Sequence, residues 1–116
     1  MSIVSILIVT HNSAAQIGAC LDSLARQTRL AYEVILVDNA SSDATLAAVP
    51  QSAGLRLIAN EENIGFAVAI NEASRLAQGR YLLLLNPDTV VHERAVDRLA
   101  GCLEATPRPA SAPRGC

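Results

Sequence analysis

The 116-residue sequence has no tryptophan, only two tyrosines and one phenylalanine, and no run of lysine or arginine. Proteins that bind single-stranded nucleic acid stack the bases on aromatic side chains, and proteins that bind duplexes neutralise phosphates with clustered basic ones. The formal net charge here is -2. The sequence therefore predicts no nucleic-acid partner. An anionic ligand would have to be held by backbone dipoles, a metal ion or single basic residues.

Cysteine and long apolar segments are also scarce. Cys20, Cys102 and Cys116 are odd in number and lack CxxC spacing, which fits a reducing compartment and argues against a zinc finger. Cys20 and Cys102 are expected to be small core residues. No apolar stretch reaches the roughly 20 residues of a membrane span, and no signal peptide is visible. These features favour a cytoplasmic protein and leave peripheral contact at the inner face of the membrane open.

The sequence does have 51% hydrophobic residues, enough for a buried core, arranged in alternating patterns. Apolar, mostly β-branched or leucine runs predict strands at 3–10, 33–37, 55–59 and 81–85. Apolar residues at helical spacing predict helices at 14–27, at 64–77 and from about 93, and a short helix through Leu46 and Val49 that Pro50 stops. We expect Asn12 or Ser13 to cap the first helix and Gly79 to close the third. The fourth strand is apolar throughout, which predicts a central place in the sheet.

The alternating order of strands and helices predicts the fold class. Short connections between parallel strands require right-handed crossovers, so we expect an α/β, Rossmann-like, mostly parallel sheet with helices on both faces. A strand order of 3-2-1-4 would put the topological switch point between the first and fourth strands. Residues 1–105 should form this domain. Residues 106–116, with three of the five prolines, should form a flexible tail.

Three of the predicted strands end in polar residues, at positions 10–12, 38–39 and 86–88. Open α/β sheets bind ligands where the carboxyl ends of their strands meet at a switch point. Asp38 is suited to accept hydrogen bonds from a ribose or a base, and Asp88 is suited to a divalent cation. Mg²⁺ is commonly held by one or two carboxylates, with phosphates and water completing its shell. Neither GxGxxG nor GxxxxGK[ST] is present, which weighs against dinucleotide and P-loop sites.

Six segments together resemble family 2 glycosyltransferases, notably their rhamnosyltransferase-like branch. They are Val-Thr-His-Asn-Ser at 9–13, Cys-Leu-Asp-Ser-Leu at 20–24, Gln-Thr at 27–28, the strand and turn at 33–43, Asn-Ile-Gly-Phe-Ala at 63–67, and Leu-Leu-Asn-Pro-Asp-Thr at 84–89. The similarity runs in order from residue 3 to about residue 100.

This resemblance implies a GT-A fold that transfers a sugar, with inversion, from a UDP- or dTDP-sugar to a glycan or lipid-linked acceptor in bacterial cell-envelope polysaccharide synthesis. It also implies a divalent cation, Mg²⁺ or Mn²⁺. The site residues that it implies are Thr10, His11 and Asn12 lining the nucleotide, Asp38 at the base with Asn39 beside it in the nucleotide-sugar site, Gly65 in a neighbouring loop, Asn86 at the ribose, and Asp88 at the metal and diphosphate.

The sequence also departs from the family pattern. Asn86 replaces the first carboxylate of the Asp-x-Asp element, and His11 stands where tyrosine or phenylalanine is usual. The second half of the family domain, with the acceptor site and the general base, has no counterpart in these 116 residues. We therefore expect the donor-binding half only, without transfer activity of its own.

Other interpretations remain open at this point. Asp38 could simply cap the following helix, and Asn86-Pro87-Asp88 could simply form a turn. We expect His11 to have a structural or pocket-lining role rather than to transfer protons. Phe66 and Tyr81 are expected in the core. The whole chain could be a non-catalytic nucleotide-binding or interaction module that forms a homodimer through an exposed sheet edge. A Rossmann dehydrogenase fragment is a weaker alternative, because the glycines of that fold are missing.

Overall fold

The computed structural model of the protein describes residues 3–50 and 54–105, which contain a four-stranded parallel sheet with helices on both faces. The elements, in chain order, are β1 (Val4–Thr10), α1 (Ala14–Gln27), β2 (Tyr32–Asn39), α2 (Thr45–Ala48), β3 (Leu55–Asn60), α3 (Phe66–Leu76), β4 (Tyr81–Leu84) and α4 (Ala95–Ala105). The predicted tail at 106–116 lies outside the described residues. All eight predicted elements within the described ranges are confirmed, with ends that differ by at most two residues.

The sheet has the strand order β3-β2-β1-β4, and all three pairs are parallel. Strand β1 therefore lies between β2 and β4. Thr10 of β1 is the register partner of Asp38 in β2, and Leu7 of β1 is the partner of Leu84 in β4. The predicted α/β fold, strand order and switch point are all confirmed. The polar ends of β1, β2 and β4 point toward the same edge of the sheet.

Each face of the sheet has its own hydrophobic layer. One layer includes Ile6, Ile8 and Leu36 of the sheet, which pack with residues of α1 and α4. The opposite layer joins Leu7, Ile35 and Val37 of the sheet to two alanines of α3. Full burial of each isoleucine or leucine contributes about 1.5–3 kcal/mol. The alternation of side chains along β1 thus fixes which helix covers which face.

The prediction that β4 is a central strand is wrong. β4 lies at the edge of the described sheet, where Leu82 is 52% and Leu84 49% exposed. Tyr81, Leu83 and Leu85 pack against the layer that contains α1 and α4. Helix α3 packs mainly on β1 and β2 instead, so the face of β4 that carries Leu82 and Leu84 is only partly covered by the described residues. Its continuous apolar sequence suits a strand covered on both faces, which is why the pattern indicated a central position.

The expected core positions are confirmed only in part. Cys20 is fully buried and Tyr81 packs against the core, whereas Cys102 is half-buried. Phe66 is 56% exposed, so its predicted core position is wrong. The small side chains Ala69 and Ala73 form the buried contact of α3 with the sheet, and Phe66 at the first turn of the helix lies outside it.

Two helix ends differ from the prediction for backbone reasons. Helix α4 begins at Ala95 rather than near residue 93, because Glu93 and Arg94 have φ angles of 51° and 53°, in the left-handed region. Gly79 does not close α3 in a left-handed conformation. A Cβ atom at this position would lie 2.7 Å from the backbone nitrogen of Ser5. The glycine therefore permits a close approach of two backbone segments.

Candidate functional site

The ends of β1 and β2 are joined by a buried hydroxyl–carboxylate contact. Thr10 Oγ1 donates to Asp38 Oδ1 at 2.7 Å, and Ser41 Oγ donates to the same oxygen at 2.6 Å. The backbone N–H of Ser41 donates to Asp38 Oδ2 at 3.1 Å. Asp38 is only 1% exposed. The carboxylate thus closes the turn after β2 and does not cap α2, which was the structural alternative that the sequence left open for it.

The turn after β2 also holds the loop after β1. Ala40 has a φ of 54°, which folds Ser41 back toward Asp38. Ser41 Oγ accepts from the backbone N–H of Asn12 at 2.8 Å, and Asn12 Oδ1 accepts from the N–H of Ser42 at 2.8 Å. Asn12 itself has a φ of 51°, which asparagine tolerates better than most residues. These reciprocal contacts fix the two loops relative to each other.

The amino terminus of α1 is served by a residue of the next loop. Ser13 is the N-cap residue of α1, as predicted, but its side chain makes no capping hydrogen bond. Asp43 Oδ2 instead accepts from the N–H of Ala14 at 3.3 Å, and Asp43 Oδ1 accepts from the hydroxyl and N–H of Thr45. The hydrogen bond from the Thr45 hydroxyl is the main reason that the pKa of Asp43 lies below its usual value. The carboxylate therefore stays charged beside the start of two helices, where the helix dipole favours it.

Asn39 connects the tip of β2 to three other segments. Its backbone oxygen lies 2.7 Å from Nδ1 of the exposed His11, so that nitrogen carries a hydrogen and donates. Its side-chain Nδ2 donates to the carbonyl of Gly65 at 3.2 Å. Its Oδ1 accepts from Asn60 Nδ2 at 3.1 Å, and Asn60 also donates to Glu72 Oε1 at 3.1 Å. The loop before α3 is thereby attached to the strand ends.

The segment after β4 lies on the other side of β1. The Asn86 carbonyl accepts from the N–H of Thr89 at 3.0 Å, which is the turn that the sequence predicts, and it lies 3.8 Å from the Cys20 thiol of α1. Burial, and secondarily the negative charge of Asp88, raise the pKa of that thiol. Cys20 is therefore an inert core residue. The side chains of Asn86 and Asp88 are exposed and form no hydrogen bond with any other described residue.

The chemistry of Asp88 limits the kind of metal site that the protein can build. Among residues 3–50 and 54–105, no three histidine, cysteine, aspartate or glutamate side chains cluster closely enough to hold an ion. A site formed by protein ligands alone does not fit. A single exposed carboxylate does fit a Mg²⁺ or Mn²⁺ ion that takes its other ligands from a diphosphate and from water.

The structure thus places six of the eight predicted site residues in two hydrogen-bonded groups of three, the first of which includes Ser41, and it places the other two across β1 from them. The six are Thr10, His11, Asn12, Asp38, Asn39 and Gly65. Asn86 and Asp88 follow β4 and make no such contact. Ser41, Asn60 and Glu72 were not assigned to the site from the sequence. The Asp-x-x-Ser spacing of 38 and 41, an Asx-type turn, is a signal that could have identified Ser41.

Comparison with known proteins identifies the family. The protein-family model described as "Glycosyl transferase family 2" matches residues 5–113 of this sequence. The chain belongs to this family. Its resemblance to family 2 glycosyltransferases is therefore confirmed, and the dehydrogenase-fragment interpretation loses its basis.

Individual relatives agree with this assignment. A PGL/p-HBAD biosynthesis glycosyltransferase of Mycobacterium bovis is 42% identical over 93 residues, which are 77% of this chain and 36% of that protein. The crystal structure of S. aureus TarS 1-349 superposes with a TM-score of 0.80 at 27% identity, covering 90% of this chain and 33% of that one. The mannosyltransferase PcManGT of Pyrobaculum calidifontis, in complex with GDP-Man and Mn2+, gives a TM-score of 0.78 at 30% identity, covering 91% and 32%.

These neighbours are GT-A glycosyltransferases, so the predicted fold type is confirmed. The chain spans about a third of the length of the relatives it matches. Among the described helices, none combines the length and the apolar character needed to cross a membrane.

Proposed function

We propose that this chain is the nucleotide-sugar-binding part of a family 2 glycosyltransferase, with the donor at the carboxyl ends of β1, β2 and β4. The observation that carries the proposal is the switch point itself. Asp38 lies at the carboxyl end of β2, Asp88 lies four residues beyond the end of β4, and Thr10 ends β1. We expect the two loops after β1 and β4 to border one crevice, because open α/β sheets bind ligands at the switch point. The TarS structures with UDP and UDP-GlcNAc and the GDP-Man complex of PcManGT support the same ligand class.

Within this site we assign each residue the part of the ligand that it would contact. The nucleotide would be lined by Thr10, His11, Asn12, Asp38, Asn39 and Gly65, and the ribose would contact Asn86. Asp88 would hold Mg²⁺ or Mn²⁺ together with the diphosphate. When bound, such an ion neutralises the charge that grows on the departing diphosphate. His11 would face the nucleotide with Nε2, because its Nδ1 already donates to the backbone oxygen of Asn39.

The remaining features of the reaction are also proposals. We place the chain in the cytoplasm, with UDP- or dTDP-sugar as donor, a glycan or lipid-linked acceptor, and inversion at the anomeric carbon. The domain is taken as residues 1–105. The family resemblance puts the general base in a second half that these residues do not include. We therefore expect donor binding without sugar transfer by the 116-residue chain, and a turnover assay that detects transfer would contradict this.

Calorimetric titration tests the proposed site directly. The chain should bind UDP more tightly in the presence of Mn²⁺ than in its absence, and dTDP serves as the test of base preference. Asp88→Ala should weaken UDP binding in Mn²⁺ by roughly tenfold or more, which corresponds to loss of one charge-assisted contact. The metal-free affinity of this variant should change little. Equal effects with and without Mn²⁺ would remove Asp88 from the metal site.

An interaction role is the second candidate, and the edge of β4 favours it. Among the described residues β4 pairs only with β1, and Leu82 and Leu84 are half-exposed beside its free edge. Unpaired edges of this kind pair readily with another strand. We propose that two copies of the isolated chain associate through β4. Sedimentation at several concentrations should show a dimer, and a monomer at every concentration would contradict this proposal.

A further inference from the structure

Three polar side chains form a continuous chain of hydrogen bonds beneath the loop that precedes α3. Glu72 of α3 accepts from Asn60 at the end of β3, and Asn60 donates also to Asn39 at the end of β2. Asn39 then donates to the carbonyl of Gly65. Asn39 is 2% exposed, and Asn60 and Glu72 are half-buried. These hydrogen bonds thus connect α3 to the ends of β3 and β2, and connect the end of β2 to the loop before α3.

The direction of this chain is set by the acceptors at its two ends. A carboxylate only accepts hydrogen bonds, whereas a carboxamide has one donating and one accepting end. The amino group of Asn60 must therefore face Glu72, and it supplies its second hydrogen to Asn39. Asn39 presents its oxygen on that side and its amino group toward Gly65. The Gly65 carbonyl also only accepts, so the acceptors at both ends require the same orientation of the two amides.

The last acceptor in this series of hydrogen bonds is the backbone carbonyl of Gly65. Gly65 precedes the first turn of α3 with a φ of 86°, and its carbonyl accepts from Ala69 N–H at 3.2 Å as well as from Asn39. Two donors therefore fix the peptide plane at the start of the helix. Asn39 also holds the ring of His11 through its backbone oxygen. A single residue sets the positions of two groups on the site.

We propose that Asn60 and Glu72 are positioning residues of the nucleotide-sugar site, which fix Asn39 and, through it, the Gly65 loop and the His11 ring. This inference rests on the proposed function. Replacing hydrogen-bonded polar pairs by apolar groups of the same shape costs little stability, so three polar side chains here are a poor device for stability alone. A fully satisfied polar network does specify one orientation.

The test uses isosteric variants of the whole 116-residue chain. Asn60→Asp keeps the shape of the side chain but replaces the donating amino group by an oxygen that faces Glu72 and Asn39. We expect the nuclear magnetic resonance signals of the Asn39 side-chain amide and the Gly65 backbone amide to shift, and UDP affinity in Mg²⁺ to fall roughly fivefold. Asn71→Asp, one residue from Glu72 on α3, adds the same charge outside the network. It should leave the signals of Asn39 and Gly65 and the UDP affinity close to those of the parent chain.

A second pair of variants separates positioning from folding. Glu72→Ala should reproduce the shifts and the weaker binding, and Glu72→Gln should restore both, because glutamine retains an accepting oxygen. A purely structural role would lower the melting temperature in these variants without changing UDP affinity, and that result would overturn the inference. If the parent chain itself fails to bind UDP, the proposed function fails. Unchanged Asn39 and Gly65 signals in the ligand-free variants would overturn the positioning claim separately.

Discussion

The two ends of the β1–β2 pair carry the same chemical motif in two different settings. At the amino end, Ser5 Oγ donates to Glu33 at 2.6 Å, and at the carboxyl end, Thr10 Oγ1 donates to Asp38 at 2.7 Å. Both pairs are direct register partners, and all four residues are buried. A hydroxyl–carboxylate contact between adjacent strands is therefore not by itself evidence of a ligand site.

The amino end of the β1–β2 pair is covered by backbone N–H groups of the loop before β4. The N–H of Gln78 donates to Glu33 at 2.6 Å and the N–H of Gly79 donates to Ser5 at 2.8 Å, so the loop before β4 seals this edge. Burial raises the pKa of Glu33, but hydrogen bonds from Ser5 and Gln78 and the charge of Arg56 lower it by more, so the pKa lies below its ordinary value. This cluster stabilises the fold and offers nothing to a ligand.

The carboxyl end differs because polar side chains remain exposed around the buried pair. His11, Asn12, Asn86 and Asp88 are all exposed there. A buried carboxylate is therefore present at both ends of the strand pair. Accessible donors and acceptors beside it distinguish the candidate binding edge from the structural one.

The largest effect is expected from removing the carboxylate at the closed end. Glu33→Ala leaves the Ser5 hydroxyl and the Gln78 N–H without their acceptor, and should lower the free energy of unfolding by about 3 kcal/mol. Urea denaturation measures this loss, with the exposed Glu61→Ala as control. The folded variant should bind UDP as the parent chain does. Weaker binding by the folded protein would mean that the two ends are not independent.

A smaller effect, but on binding, is expected at the open end. Asp38→Asn keeps the shape of the side chain and an acceptor for the Ser41 N–H, but it removes the charge beside the nucleotide. UDP affinity measured by calorimetry should fall roughly tenfold. Glu33→Gln is the matched change at the other end of the same strand pair and should leave UDP affinity within about twofold. Equal losses in both variants would erase the distinction between the ends.

The smallest effect concerns pH. Because the folded protein holds the pKa of Glu33 below that of the unfolded chain, its charge contributes stability above the unfolded pKa, and this contribution is lost as pH falls through the folded pKa. Between about pH 5 and pH 3 the free energy of unfolding should therefore fall more steeply in the parent chain than in Glu33→Gln. Urea midpoints at several pH values give the two slopes. Parallel slopes would show that Glu33 titrates alike in both states.

The sequence predicted the elements, their order and most of the edge at which the polar residues meet, because alternating patterns and connection lengths restrict an α/β sheet strongly. The predicted positions of β4 and Phe66 were wrong, because an apolar residue indicates a tendency to be buried but does not identify the element that buries it. The capping of α1 by Asp43 and the contacts of Glu72 were not predicted. They join residues 12 to 29 positions apart through side chains whose orientation depends on the finished fold.

One further signal was present in the sequence and was not used. Ser5 and Glu33 are polar residues within otherwise apolar strands, and they are separated by 28 positions, as are Thr10 and Asp38. Equal spacing in two parallel strands predicts two cross-strand pairs. With that pairing, the closed cluster could have been predicted together with the open one.

Paramagnetic broadening of the backbone amide signals by Mn²⁺ in the presence of UDP would locate the bound ion on the protein. The account predicts the strongest broadening around Asp88, with effects at Thr10, Asn12 and Asp38, and sharp signals at Ser5, Glu33 and Gly79 at the opposite edge. Asp88→Ala should abolish the pattern. Broadening centred on the Glu33 edge, or no UDP-dependent broadening at the carboxyl edge, would contradict the proposal that this edge binds a metal-bound nucleotide diphosphate.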